Sequence, residues 1–106
     1  MNKISVLAID LGGESGRVIK MDFDGVKFYL EEIHRFPNLP VEASGTTYWD
    51  VLSLWREIQS GIAKSSSVNS LGVDSWGVDF ALLDCHGKLL SNPLHYRDKC
   101  SEGMME

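Results

Sequence analysis

The 106-residue sequence has few basic residues, no clustered positive charge and no long apolar run, and each shortage excludes a class of protein. The ten lysines and arginines are scattered along a chain of formal net charge −5. We therefore expect no nucleic-acid partner, because such binding needs a concentrated basic surface. No stretch approaches the roughly 20 apolar residues of a membrane span, so no membrane association is expected. The short apolar run that ends at Asp10 predicts a buried strand and not a signal peptide.

Cysteine is also scarce, since Cys85 and Cys100 are the only two and form no C-x-x-C motif. A zinc site built from them with His86 and His95 would have a ligand spacing that matches no common structural site. We favour the interpretation that both are reduced thiols in a cytoplasmic protein.

The first 40 residues predict three consecutive strands. Residues 3–10 are rich in Ile, Val and Leu, which is typical of a strand buried on both faces. Residues 18–23 and about 27–36 follow after short turn-forming stretches and read as two further strands. Short turns between consecutive strands predict an antiparallel meander, which we expect to end in a loop after Pro37.

The clearest helix follows this loop. Asp50 is a suitable N-cap, because its carboxylate can accept from the free N–H groups of the first turn. Trp55 and Ile58 are predicted to be core residues on the apolar face of this helix. The residues that recur at helical spacing are Val51, Leu54, Trp55, Ile58 and Ile62.

After the helix, residues 70–75 and 78–83 predict two more strands, and residues 89–96 resume an extended pattern. The predicted order is therefore β-β-β-α-β-β, with one good helix. A mixed sheet reached by a helical crossover normally needs cover on both faces, which one helix cannot give. We expect the chain to be an incomplete, truncated part of a larger domain, whose open face invites self-association.

The strongest chemical signal is the segment 9–17, with the sequence IDLGGESGR. It lacks the Gly-Lys-Ser/Thr of a Walker loop, and neither its glycine spacing nor the strand that follows fits a dinucleotide-binding fingerprint. A tight glycine hairpin instead lets backbone N–H groups approach an anion closely. Ser15 adds a hydroxyl donor, and Asp10 could hold Mg²⁺ through water. The alternative interpretation is a plain β-hairpin turn.

This segment resembles the first phosphate motif of the actin, Hsp70 and sugar-kinase superfamily. The rest of the chain resembles the FGGY carbohydrate kinases, and within them the rhamnulokinase subgroup. The resemblance implies a ribonuclease-H-like α/β fold with a mixed sheet. It also implies that residues 1–106 form the first part of the N-terminal kinase domain, and that the catalytic aspartate and the C-terminal domain lie outside them. The matching segments, in order, are AIDLGGESGRV, EIHRF, TYWDV, LGVDSWGVDFALLD and HYRD.

The resemblance implies ATP as the phosphoryl donor, with Mg²⁺ near Asp10. The side chain of Glu14 should point to solvent, because a carboxylate beside triphosphate would be repelled. Arg17 fits a structural and a phosphate-neutralising role equally well. The implied ATP contacts are Gly13, Glu14, Ser15, Gly16 and Arg17.

The resemblance also implies a small-molecule sugar, L-rhamnulose, as the acceptor. Gly77 matches a sugar contact of the subgroup, and Asp98 lies in a segment that supports the sugar pocket in related kinases. Trp76 and Asp79 would shape the pocket, since an indole can pack on the C–H face of a sugar and a carboxylate can accept from its hydroxyls. A core tryptophan and a strand-end aspartate remain the alternative interpretation of these two residues.

Other functions are open at this point. A ribonuclease-H-like nuclease would bind two metals through Asp10, Glu57 and Asp74, although the acidic net charge and the glycine hairpin argue against it. Another FGGY kinase acting on fuculose or xylulose, or a non-catalytic sugar- or nucleotide-sensing module, would share most of the same motifs.

Overall fold

The computed structural model describes residues 3–96. A four-stranded sheet has the order β3-β2-β1-β6, and a short β4–β5 hairpin lies apart from it. The first three strands form an antiparallel meander, and β6 returns parallel to β1 after the helix. The predicted mixed α/β class is therefore confirmed. The elements are β1 (Ile4–Leu11), β2 (Ser15–Phe23), β3 (Phe28–Pro37), β4 (Val41–Ala43), β5 (Thr46–Tyr48), α1 (Val51–Lys64) and β6 (Ser70–Asp74).

The core lies between α1 and one face of the sheet. Alternate residues of a strand point to the same face, and Leu7 and Ile9 of β1 are buried there with Val18 of β2 and Phe36 of β3. Leu54 of α1 closes this cluster. Each such side chain contributes about 1.5–3 kcal/mol when it is fully buried. The core therefore fixes which face of the sheet the helix covers.

Polar side chains tie the helix to the edge of the sheet. His34 Nε2 lies 2.6 Å from Glu57 Oε2, and Lys64 Nζ lies 2.9 Å from His34 Nδ1. At the start of α1 the predicted cap is confirmed, because Asp50 accepts from the N–H of Ser53 at 3.2 Å. These contacts set the position of α1 along β3.

The opposite face of the sheet is open within residues 3–96. Ile4, Phe28 and Leu30 are 52%, 61% and 70% exposed there, and the Phe23 and Phe28 rings stack at 4.6 Å. The predicted one-sided cover is thus present in the described part of the chain. The sequence prediction that Trp55 is a core residue is corrected, since Trp55 is 54% exposed and is not part of the buried cluster.

The segment after β6 differs from the prediction. The strand predicted at 78–83 and the extended stretch predicted at 89–96 are not regular strands in the described residues, where the backbone forms only isolated bridges at Leu83–Leu89 and Tyr48–Leu94. The two segments pair only at their near ends, where the Leu90 N–H donates to the Leu82 carbonyl at 3.0 Å, and Phe80 is 78% exposed. Between 83 and 89 the chain turns back through Gly87, at φ +80°. The predicted β-β-β-α-β-β order is therefore corrected to one strand after the helix.

A second difference is the β4–β5 hairpin, which occupies part of the predicted loop. Its turn residues Ser44 and Gly45 have φ angles of +53° and +79°. Two consecutive positive φ angles are the geometry of a two-residue hairpin turn that matches strand twist. Within residues 3–96 no helix has the length and apolar character that a membrane crossing requires.

Candidate functional site

The glycine segment forms the hairpin that joins β1 to β2. The N–H of Gly12 donates to the Ser15 carbonyl at 2.9 Å, which leaves Gly13 and Glu14 at the tip. Glu14 is exposed, as predicted for its side chain, and Ser15 is half-buried. Asn38, itself 3% exposed, supports the hairpin from the end of β3, with its Nδ2 donating to the Gly12 carbonyl at 2.8 Å and its N–H to the Glu14 carbonyl at 2.9 Å.

Packing explains two of the three glycines in this hairpin. None of them has the positive φ that favours glycine. A Cβ at Gly12 would lie 2.9 Å from the Ser15 carbonyl oxygen, and one at Gly16 would lie 2.3 Å from Cζ of Phe36. A Cβ at Gly13 would meet no atom within 4 Å. Within residues 3–96 nothing therefore requires glycine at position 13.

Gly16 supplies a stability prediction for the complete protein that contains this chain. Gly16→Ala is expected to lower the free energy of unfolding by about 1–3 kcal/mol, because the buried Phe36 ring must move. Urea unfolding followed by circular dichroism measures this change. Gly13→Ala is the matched control, since its added methyl group meets open space. Equal unfolding free energies for the two variants would contradict the packing explanation.

The hairpin faces a cleft of about 700 Å³. His95, 7% exposed, also lines it, and the backbone N–H of His95 donates to the Thr47 carbonyl at 2.9 Å. The cleft thus brings His95 and Tyr96 to the glycine hairpin, about 80 residues earlier in the sequence. The residues that line it are Gly12, Gly13, Glu14, Ser15, Asn38, Leu39, Pro40, Thr47, His95 and Tyr96.

Asp10 and Arg17 form an ion pair beside the hairpin. Arg17 Nη2 lies 2.5 Å from Asp10 Oδ2 across the β1–β2 pair. The hydrogen bond to Asp10 and its negative charge raise the pKa of the Arg17 guanidinium, so this side chain stays charged. Asp74 of β6 lies next to Asp10 in the parallel register. The structure gives Arg17 a structural partner, while its contact with phosphate stays a prediction.

The three carboxylates of the nuclease hypothesis do not converge. Asp10 alternates with the core residues of β1 and so lies on the open face of the sheet. Glu57 is on α1, on the other face, where it contacts His34. Among residues 3–96 no group of three or more His, Cys, Asp or Glu side chains could hold a metal ion. A metal contact through Asp10 alone stays a prediction.

A second cleft, of about 320 Å³, lies between α1 and the segment that follows β6. Asp79 lines it and accepts hydrogen bonds on Oδ2 from Nε1 of Trp49 and Nε1 of Trp76, both at 2.7 Å. Gly77 is exposed, and a Cβ there would meet no atom within 4 Å. Two of the four predicted sugar contacts, Trp76 and Asp79, therefore line this cleft, and Gly77 lies between them in the chain. The fourth, Asp98, lies outside the described residues.

An aromatic stack connects the two clefts. The Trp49 ring lies 4.3 Å from the Trp76 ring and 4.2 Å from the His95 ring, and His95 lies 4.6 Å from Tyr96. Trp49 is 1% exposed. Sequence reasoning assigned Trp49 to no site and considered His95 only for a zinc site whose ligand spacing matched no common type. Their membership of the TYWDV and HYRD segments was the one signal that pointed to the site.

The comparisons with known proteins agree with this geometry. No protein-family model matches the sequence. A rhamnulokinase of Bacteroides thetaiotaomicron is 44% identical over 98% of the chain, and one of Halalkalibacterium halodurans is 43% identical over 94%. The chain spans about 22% of the length of each of these relatives.

Solved structures show the same fold. A carbohydrate kinase from Novosphingobium aromaticivorans matches 93% of the chain with a TM-score of 0.71 at 25% identity, and the chain covers 21% of that protein. A gluconate kinase from Lactobacillus acidophilus matches 97% of the chain with a TM-score of 0.70 at 14% identity, and 22% of it is covered. Over nearly its whole length the chain is therefore similar to the rhamnulokinases, and its resemblance to the FGGY carbohydrate kinases is confirmed.

Proposed function

We propose that the complete protein containing this chain transfers the γ-phosphoryl group of ATP, with Mg²⁺, to the 1-hydroxyl of L-rhamnulose. In this proposal residues 1–106 are the first part of the N-terminal kinase domain. They supply the first phosphate loop and part of the sugar site, while the catalytic aspartate lies outside them. The identity to rhamnulokinases of 38–44% supports the choice of sugar. A cytoplasmic location stays a prediction.

The main support for the proposal is the position of Gly13. It lies at the tip of the hairpin, it faces the 700 Å³ cleft, and the described residues leave open space where its side chain would be. A glycine that neither backbone conformation nor packing requires is explained by a ligand that approaches the backbone closely. A triphosphate fits this position, because successive N–H groups of a tight loop form an anion site.

The proposed reaction requires these residues to position the substrates and to neutralise charge. Phosphoryl transfer depends on holding the acceptor hydroxyl in line with the γ-phosphate, and on neutralising the charge of the phosphate oxygens. In the proposal the N–H groups from Gly13 to Gly16 bind the phosphates, and Arg17 adds positive charge. Asp10 holds the metal ion through water, and the sugar lies against Gly77 and Asp79, with Asp98 as a further contact.

An acceptor panel tests the substrate. The complete protein is expected to phosphorylate L-rhamnulose faster than L-fuculose, L-xylulose, D-xylulose or glycerol, because its relatives are rhamnulokinases. A coupled assay of ADP release, run with each acceptor at saturating MgATP, measures the rates. A clear preference for xylulose or glycerol would contradict the subgroup. An absence of ATP-dependent phosphorylation with every acceptor would contradict the kinase proposal itself.

A further inference from the structure

The carboxylate of Asp79 receives two indole N–H groups on one oxygen. Trp49 Nε1 and Trp76 Nε1 each donate to Oδ2 at 2.7 Å. An indole nitrogen only donates, so both bonds require Oδ2 to be an acceptor. Within residues 3–96 the structure records no hydrogen bond to the other oxygen, Oδ1. Asp79 therefore has one oxygen that the protein holds and one that a ligand can use.

Trp49 is the rigid member of this arrangement. It is 1% exposed, and its ring centroid lies 4.3 Å from that of Trp76 and 4.2 Å from that of His95. Its backbone N–H donates to the Pro93 carbonyl at 2.9 Å. The Trp49 indole is thus buried and held by two ring contacts and through the backbone, with its N–H directed at Asp79.

The turn that carries Asp79 is strained at Val78. Its φ is +69°, a region that β-branched residues rarely adopt because of steric conflict with the backbone. The side chain of Val78 is 86% exposed, so its burial does not offset the strain. The Trp76–Asp79 hydrogen bond closes the turn across it. Strain that persists only because its surroundings hold it is a feature of functional sites.

We propose that Trp49 is a positioning residue that holds Asp79 so that Oδ1 accepts a hydrogen bond from a hydroxyl of the acceptor sugar. This inference rests on the proposed sugar-kinase function. A ketose fits the site chemically, since its hydroxyls can donate to Oδ1 and its C–H face can pack on the Trp76 indole. The cleft that Asp79 lines is about 320 Å³ in volume.

Removing the Trp49 N–H tests the inference in the complete protein. Trp49→Phe keeps an aromatic ring and is expected to raise the KM for L-rhamnulose about tenfold or more, with the KM for ATP within about twofold of wild type. Asp79→Asn keeps an oxygen that can accept from both indoles but puts an amide NH₂ toward the ligand, and it is expected to raise the sugar KM to a similar degree. The double variant is expected to be no worse than the more affected single one, because residues that act through each other are not additive.

A core variant controls for stability. Val18→Ala leaves a cavity at a fully buried position that lines neither cleft, and it is expected to lower the unfolding temperature with the sugar KM within about twofold of wild type. Two results would overturn the inference and leave the proposed function intact. One is a multiplicative effect on the sugar KM when Trp49→Phe and Asp79→Asn are combined. The other is a sugar KM of Trp49→Phe within about twofold of an active wild type. If Trp49→Phe does not fold, an unchanged sugar KM in Asp79→Asn overturns it. A wild type that phosphorylates no sugar would instead overturn the proposed function.

Discussion

Gly13→Val in the complete protein is expected to lower kcat/KM for ATP about tenfold or more, a loss of about 1.4 kcal/mol or above, while the unfolding temperature stays close to that of wild type. The described residues leave open space at this position, so the free fold accepts the branched side chain. The same side chain would fill the part of the cleft through which the phosphates reach the backbone. The effect is therefore expected on binding and catalysis and not on folding.

Steady-state kinetics with varied ATP, together with thermal unfolding, measure both quantities. Gly13→Ala is expected to fall between wild type and Gly13→Val, because a steric effect grows with the size of the side chain. The affinity for the sugar without ATP serves as an internal control and is expected to be unchanged. Unaltered ATP kinetics in a folded Gly13→Val variant would show that the hairpin is only a turn.

Residues 1–106 alone are expected to show no phosphoryl transfer to L-rhamnulose. The chain spans about 22% of the length of its rhamnulokinase relatives, and the carboxylate base that the resemblance implies lies outside it. Without a proton acceptor, bound ATP and sugar lack the group that activates the attacking hydroxyl. The coupled ADP assay, with the complete protein as the positive control, measures this. Turnover by residues 1–106 above the rate without enzyme would show that the chain contains its own base.

The same 106-residue chain is expected to self-associate. Phe28 and Leu30 are more than half exposed on the open face of the sheet, and within residues 3–96 the strands β3 and β6 are its unpaired edges. Exposed apolar surface and free strand edges both favour association between copies. Analytical ultracentrifugation over a concentration series decides the matter. A stable monomer with a sharp unfolding transition and no binding of a hydrophobic dye would identify a self-sufficient domain.

The elements that sequence reasoning predicted correctly are those whose signals are local. Strand alternation, short turns and the Asp50 cap are encoded within a few residues. Most of the predicted elements therefore begin within one or two residues of the expected position, as do β1, β3, α1 and β6. The strand predicted at 78–83 was wrong because an apolar pattern does not show how many residues of a segment find a partner, and here the pairing is confined to the Leu83–Leu89 bridge and the bond from the Leu90 N–H to the Leu82 carbonyl. The prediction that Trp55 is a core residue was also wrong, because helical spacing does not show how much of the helix surface the sheet covers.

The candidate site divides in the same way. The glycine hairpin and the pair Trp76–Asp79 were predictable, because their motifs are contiguous in sequence. Asn38 and Trp49 were missed as site residues, since Asn38 bonds Gly12 across 26 positions and Trp49 bonds Asp79 across 30. Such contacts follow from the path of the whole chain, so Asn38 carried no sequence signal of its contact and the only signal for Trp49 was its place in the TYWDV segment.

The parallel pairing of β6 with β1 makes the two halves of the site differ in the loops that folding must close. The hairpin at Gly12–Ser15 closes a loop of two residues, whereas beside the β1–β6 pair the bond from the Ser5 N–H to Asn69 Oδ1 joins residues 64 positions apart. Contacts of low sequence separation form fast and those of high separation form slowly, because the entropy of loop closure must be overcome first. We expect the hairpin to form before the rest of the sheet, and the Trp49–Asp79 bond, which closes a loop of 30 positions through α1 and β6, to form after the hairpin.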